Sequence, residues 1–176
     1  KLVLVVTRQF GEIIEIGDPV SQAKIFQDQA SDELIFVNID AKNDSEIKAL
    51  ADVINKVSQE IFMPLTVGGG VNKIEDFRLL LSNGADKISI NTAALLNPDL
   101  ISRAADKFGA QCVVVSIDYK KDETGNYFVY INGGKEKTSF HPVEWAKMAQ
   151  EFGAGELLLT SIDNDGMKNG LDLYIT

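Results

Sequence analysis

Asp118 ends the apolar run 112–117, and strand alternation sets Val114, Ser116 and Asp118 on one face. A carboxylate delivered to the carboxyl end of a parallel strand, partly withdrawn from water, has the chemistry of a general acid or base acting on a substrate proton. The plainer reading is a cap, or an ion-pair partner for Lys120 or Lys121. A second constellation is Gly68-Gly69-Gly70, directly after the run 64–67, with Asn91-Thr92 after the run 86–90. Residues without a Cβ let main-chain N–H groups approach a phosphate closely, so Gly69 and Gly70 are candidate phosphate contacts. Asn91 and Thr92 add an amide and a hydroxyl. A third group follows the run 156–160: Thr160, Ser161 and Asp165 have the right chemistry to bind substrate hydroxyls. Asp163-Asn164-Asp165-Gly166 imitates the start of a calcium loop, but the later glutamate is missing and a strand precedes it, so no metal is expected.

Charges also fall at the opposite ends of these strands. Glu33, Lys87 and Glu156 each begin a run, and parity puts them on the same inward rows as Val37, Ser89 and Thr160. Charges there are costly unless they pair. They form either a structural salt-bridge cluster or an openable stopper through which something small enters.

The elements needed to hold these groups are legible in outline. Residues 19–42 align without a gap on 142–165 at an offset of 123, with nine identities in 24 positions, among them Pro19/Pro142, Lys24/Lys147, Glu33/Glu156 and Asp40/Asp163. Such an echo implies duplication. Each copy reads helix, turn, strand, polar loop. A half of about 123 residues holds roughly four βα units, and two halves close a (βα)8 TIM barrel of about 250 residues. The fold class expected is therefore α/β, a barrel of two (βα)4 half-barrels, present incompletely as a single domain over 1–176. Strand 1 of the barrel is expected to be mostly missing, and strands 7 and 8 missing. Along the chain the patterns predict a lid loop over 7–17, helices over 18–29, 44–59 (capped by Asp44 or Ser45), 73–82 and 98–108, and a β-hairpin within 120–137. A further helix and strand follow.

The totals narrow the function classes. With 45% hydrophobic and 24% charged residues in 176, the composition is that of an ordinary globular α/β domain. A net charge of −9 argues against a nucleic-acid surface, and no apolar run reaches the roughly 18 residues of a membrane span. A single cysteine, Cys112, permits no internal disulfide and fits a reducing cytoplasm. His141 is the only histidine; placed before Pro142 and matching Asp18 in the repeat, it reads as a helix-start residue.

Taken together, Thr66 to Gly70, Gly84-Ala85-Asp86-Lys87, Ser89 to Ala94, Val113 to Asp118, and Gly153 to Glu156 with Leu159 to Asp163 and Asp165-Gly166 carry a resemblance. The chain resembles the HisF family, the cyclase subunits of imidazole glycerol phosphate synthase. That resemblance implies an enzyme of histidine biosynthesis, coupled to a glutamine amidotransferase, without a cofactor. Ammonia from a glutaminase subunit (HisH-like) docked at the bottom of the barrel would reach a phosphorylated small-molecule substrate, a phosphoribosylformimino-aminoimidazole carboxamide ribonucleotide. The products would be imidazole glycerol phosphate and AICAR. It further implies Asp118 as one of two catalytic aspartates, Gly69, Gly70, Asn91 and Thr92 as one phosphate site, Glu33, Lys87 and Glu156 as members of an ammonia gate, and Asp86 as a docking residue. Asn38, Val6 and Met167 stand where the family usually has aspartate, lysine and threonine. These departures, with the text 142–147, point to an alternative. It is a HisF-like ammonia-channelling subunit serving sugar modification in surface-polysaccharide biosynthesis. A sister isomerase of the same barrel type, acting without ammonia, has no use for the charged floor.

Overall fold

The computed structural model describes residues 3–39 and 43–176. Its first element is a hairpin: β1 (Leu4–Arg8) pairs antiparallel with β2 (Glu12–Gly17), closed by Gln9-Phe10-Gly11 with Gln9 and Phe10 in the left-handed region. This corrects the loop conformation expected over 7–17. The ladder, with a cross-strand Arg8–Glu12 ion pair of 3.3 Å beside the turn, orders it as a two-stranded ribbon.

From there helices and parallel strands alternate. The first helix, α1 (Pro19–Asp28), starts where Asp18 accepts hydrogen bonds from the Ser21 amide and hydroxyl, both at 3.0 Å, with proline in the first turn. β3 (Leu34–Val37) follows, then α2 (Asp44–Ser58). The cap of α2 is Asn43, whose Oδ1 accepts from the amides of Ser45 and Glu46, and not Asp44 or Ser45 as expected. Next come β4 (Leu65–Gly68), α3 (Ile74–Ser82), β5 (Lys87–Ile90), a short α4 (Thr92–Leu96) that the sequence pattern did not announce, and α5 (Asp99–Phe108). A 3-10 turn over Ala110–Cys112 leaves Cys112 half-buried and leads into β6 (Val113–Lys121). The inserted hairpin is β6 itself, β7 (Tyr127–Ile131) and β8 (Glu136–Lys137); α6 (Pro142–Glu151) and β9 (Glu156–Ser161) complete the chain's regular structure. At the start of α6, His141 Nδ1 accepts from the Val143 amide at 3.3 Å, the capping role read from the sequence.

The parallel strands run β3-β4-β5-β6-β9 in order, each joined to the next through outer helices. Successive helices touch one another, α1 on α2, α2 on α3 and α3 on α5, so they form a single layer over one face. Between layer and sheet lie Ile54, Phe77, Leu80, Ile101 and Trp145 against Phe36, Val67, Ile88, Val115 and Ile117, all buried. Removing any of the large ones leaves a cavity, typically costing about 3–5 kcal/mol for an aromatic. A sheet whose consecutive parallel strands are helix-covered on one face only is the arc of a (βα)8 barrel, and its other face is the barrel interior. No helix among the described residues is long and apolar enough to cross a membrane.

The interior rows follow from register. Thr66 lies opposite Lys87, Gly68 opposite Ser89, Val114 opposite Glu156 and Asp118 opposite Thr160. β5 pairs with β6 at residues 113–115, and farther along the same edge of β6 is taken over by β7, with Asp118 opposite Tyr130.

Candidate active site

Asp118 does not end its strand. β6 runs three residues farther, which places this carboxylate within a ladder and fixes its main chain on two sides. The hydroxyls of Ser116, at 3.4 Å, and Thr160 hydrogen-bond to it from its own row and from the neighbouring strand. Burial pushes its pKa up to about 6; those two hydroxyls pull the other way, and the negative charge of Asp165 adds to the rise. Lys120 and Lys121 do not neutralise it: their ammonium groups sit over the rings of Tyr130 and Tyr127, at 4.5 and 4.9 Å. The ion-pair alternative for Asp118 is thereby removed, and a carboxyl group poised near neutrality remains at the carboxyl ends of the strands.

Two strands away, at the end of β4, lies the glycine turn. Gly69 has φ of +93°, and a Cβ there would run into the main chain of Asn38, whose N–H donates to the Gly68 carbonyl at 2.9 Å. The first consequence of this glycine is therefore the close approach of β3 to β4. The helix start that follows is closed by its own chain. Buried Asp76 accepts from the amides of Asn72 and Lys73 at 3.1 and 3.3 Å. At the end of β5, the side-chain amide nitrogen of Asn91 is buried with no hydrogen-bond partner among the described residues. Such an orphan donor is costly unless something accepts from it. Thr92 Oγ1 accepts from the Asn132 amide at 3.0 Å, tying the β7–β8 turn to this corner. Thr160 joins the Asp118 group. Ser161, one residue on, does not: its hydroxyl hydrogen-bonds to Tyr119, which is buried on the other side of the strand. Asp165 Oδ2 accepts from the Thr7 hydroxyl at 2.7 Å and from the Phe10 amide at 3.3 Å. Asp40 lies outside the described residues.

At the opposite end the three charges meet. Lys87 Nζ is 3.0 Å from Glu33 and 2.6 Å from Glu156, and the Thr66 hydroxyl donates to Glu33 at 2.6 Å. Burial pushes the Glu33 carboxyl up, but the hydrogen bonds from Thr66 and Lys87 and the lysine's charge outweigh it, holding the group below its ordinary value. The same bonds, to Glu156 first and then Glu33, hold Lys87 above the usual lysine range. Thr66 was missed by the sequence reading, because its place opposite Lys87 is set by the register of β4 against β5. Asp86, beside Lys87, is exposed, and one of its oxygens accepts from the Leu65 amide at 2.8 Å.

Residues 1–176, the whole chain, match the family described as "Histidine biosynthesis protein". The chain belongs to that family. It is 53% identical over 160 residues to the imidazole glycerol phosphate synthase subunit HisF of Lactococcus lactis subsp. cremoris (strain SK11), covering 90% of this chain and 61% of that protein. It is 48% identical over 167 residues to the HisF subunit of Alkaliphilus metalliredigens (strain QYMF), covering 95% and 66%. With the HisF subunit of Geobacillus kaustophilus (strain HTA426) it shares 48% over 169 residues, 96% and 67%. The chain thus spans 61–67% of the length of these curated relatives.

Proposed function

We propose that this chain carries the cyclase chemistry of imidazole glycerol phosphate synthase, as a cytoplasmic subunit. Ammonia delivered by a glutaminase partner is joined with the phosphoribosylformimino-aminoimidazole carboxamide ribonucleotide, giving imidazole glycerol phosphate and AICAR. The observation that carries the reading is Asp118: a carboxyl group with a pKa near 6, unpaired by its neighbouring lysines, on the inward row at the strand ends. At pH 7 about a tenth of such groups still hold a proton, so either direction of transfer is within reach. The orphan Asn91 amide beside Gly69 and Gly70 supports a phosphate acceptor there, with Thr160 and Asp165 on the far side of Asp118.

The paired charges at the other end support a gate. Lys87 is held by two carboxylates, one of which, Glu33, also accepts from Thr66, so one lysine movement opens the floor. The glutaminase would dock around that mouth, where Asp86 is exposed. The test is turnover of the ribonucleotide by the full-length protein with free ammonium. Asp118→Asn is expected to lower kcat by about a thousandfold or more, in line with removal of an acid/base group from a positioned site. A full-length protein inert with ammonium that still fails to complement a histidine auxotroph would favour the sugar-pathway alternative, to which Asn38, Val6 and Met167 point.

A further inference from the structure

Asp118 is held without a cation. Among the described residues no ion pair reaches it, since Lys120, two places farther along the same row, rests over the Tyr130 ring at 4.5 Å. Tyr130 stands opposite it in the β6–β7 ladder, and the charge it does feel, that of Asp165, has the same sign as its own. Two hydroxyls are left to fasten the carboxylate: Ser116 Oγ, which donates to Oδ1 at 3.4 Å, and Thr160 from β9.

The two hydroxyls come from different directions. Thr160 lies across the β6–β9 register from Asp118, while Ser116 lies one inward place lower on β6 itself, toward the salt-bridged end. Around Ser116 the row is apolar: buried Val114 precedes it, and Leu158 is its partner across the register. A half-buried hydroxyl among apolar neighbours is costly without a partner, and the side chain that partners Ser116 is Asp118. One bond from below and one from the side leave the carboxyl little choice of rotamer. Because a donated proton is worth more to a carboxylate than to the neutral acid, the Ser116 bond also opposes the effect of burial.

We propose that Ser116 is a positioning residue for the proton transfer at Asp118: its hydroxyl holds the reacting carboxyl from the floor side, as Thr160 holds it from the neighbouring strand. This rests on the reading of Asp118 as the reacting group, and it adds a residue that acts through that group. The hold is severable at one atom, since Ser116→Ala removes the hydroxyl and leaves the ladder and Thr160 in place. Ser116→Thr restores a hydroxyl on a side chain that suits a strand.

The test follows the Asp118 carboxyl carbon by NMR titration in the full-length protein, for wild type, Ser116→Ala and Ser116→Thr, beside kcat and KM in the ammonium assay. In Ser116→Ala the Asp118 titration is expected to move up by about half a unit or more, the mark of a lost donor to the charged form. Ser116→Thr stays within about 0.2 unit of wild type. In turnover, kcat falls about tenfold in Ser116→Ala, KM for the ribonucleotide stays within about threefold, and kcat recovers in Ser116→Thr. A serine that served only the packing would shift the unfolding midpoint and leave the Asp118 titration where it was. An unmoved titration in Ser116→Ala overturns the hold; a moved titration with unchanged kcat overturns its part in positioning. A wild-type protein with no turnover counts against the cyclase reading alone, because the titration reads the hold without it.

Discussion

A carboxyl group held near pKa 6 leaves a mark on stability whose sign can be worked out. Unfolded, Asp118 titrates near 3.8; folded, near 6, because burial disfavours the charged form. The folded state therefore keeps its proton longer. The stability that this protonated group contributes is present in full below about pH 4 and is lost as pH rises through about 6. Asp118→Asn removes the charge that is buried above pH 6. The variant is expected to unfold at higher denaturant than wild type at pH 8, by about 2 kcal/mol once partial exposure is discounted, with the gap closing toward pH 4. Parallel denaturation curves at the two pH values check it, and a variant weaker than wild type at pH 8 contradicts it. At this scale much was legible in the sequence, because strand parity is rigid: Glu33, Lys87 and Glu156 are found within salt-bridge distance on the rows to which counting by two assigns them. The same count separates Ser161 from Thr160, and it went unused there.

At the scale of elements, the strands and long helices were readable and the exceptions have local causes. Asn43, Asp44 and Ser45 are three good capping residues in a row, and only the fold selects Asn43. The five residues of α4 are too few to show a period. The β1–β2 turn uses Gln9 and Phe10 at positive φ, where the usual hairpin signal is Asn-Gly, so the ribbon carries no turn signature. Its order comes from distant partners in residues 163–166, invisible to any local pattern. Gly69 is the element-scale position with least tolerance. Gly69→Ala forces a Cβ into the Asn38 main chain at a φ of +93°, and is expected to destabilise the protein by about 3 kcal/mol or more, or to abolish soluble expression. Chemical denaturation of Gly69→Ala beside a Gly125→Ala control, whose Cβ meets nothing within 4 Å, separates collision from backbone strain.

For the whole molecule, we read residues 19–42 and 142–165 as copies of one unit. Helices α1 and α6 are both ten residues long, begin at Pro19 and Pro142, and start from side-chain caps at Asp18 and His141, all at the offset of 123. Among the described residues the parallel sheet is bounded by β3 and β9, each paired on one side only. Apolar side chains are open at both: Ile35 and Val37 are 40% and 51% exposed, and Leu157 and Leu159 are 38% and 36% exposed. Unpaired apolar edges template further pairing. A polypeptide of residues 1–176 is accordingly expected to run larger than 19.3 kDa in sedimentation at tens of micromolar, and Val37→Lys to shift it toward the monomer. A monomer with unmodified edges would contradict that. The two-sided pairing of β6 bears on the chemistry proposed for Asp118. Asp118 is laced to Thr160 on its left and Tyr130 on its right, so its backbone cannot travel; only two side-chain torsions remain to it. In the cyclase role proposed for this chain, whatever distance must shrink for a proton to move would have to be covered by the substrate, with the anchored Asp118 as the fixed coordinate.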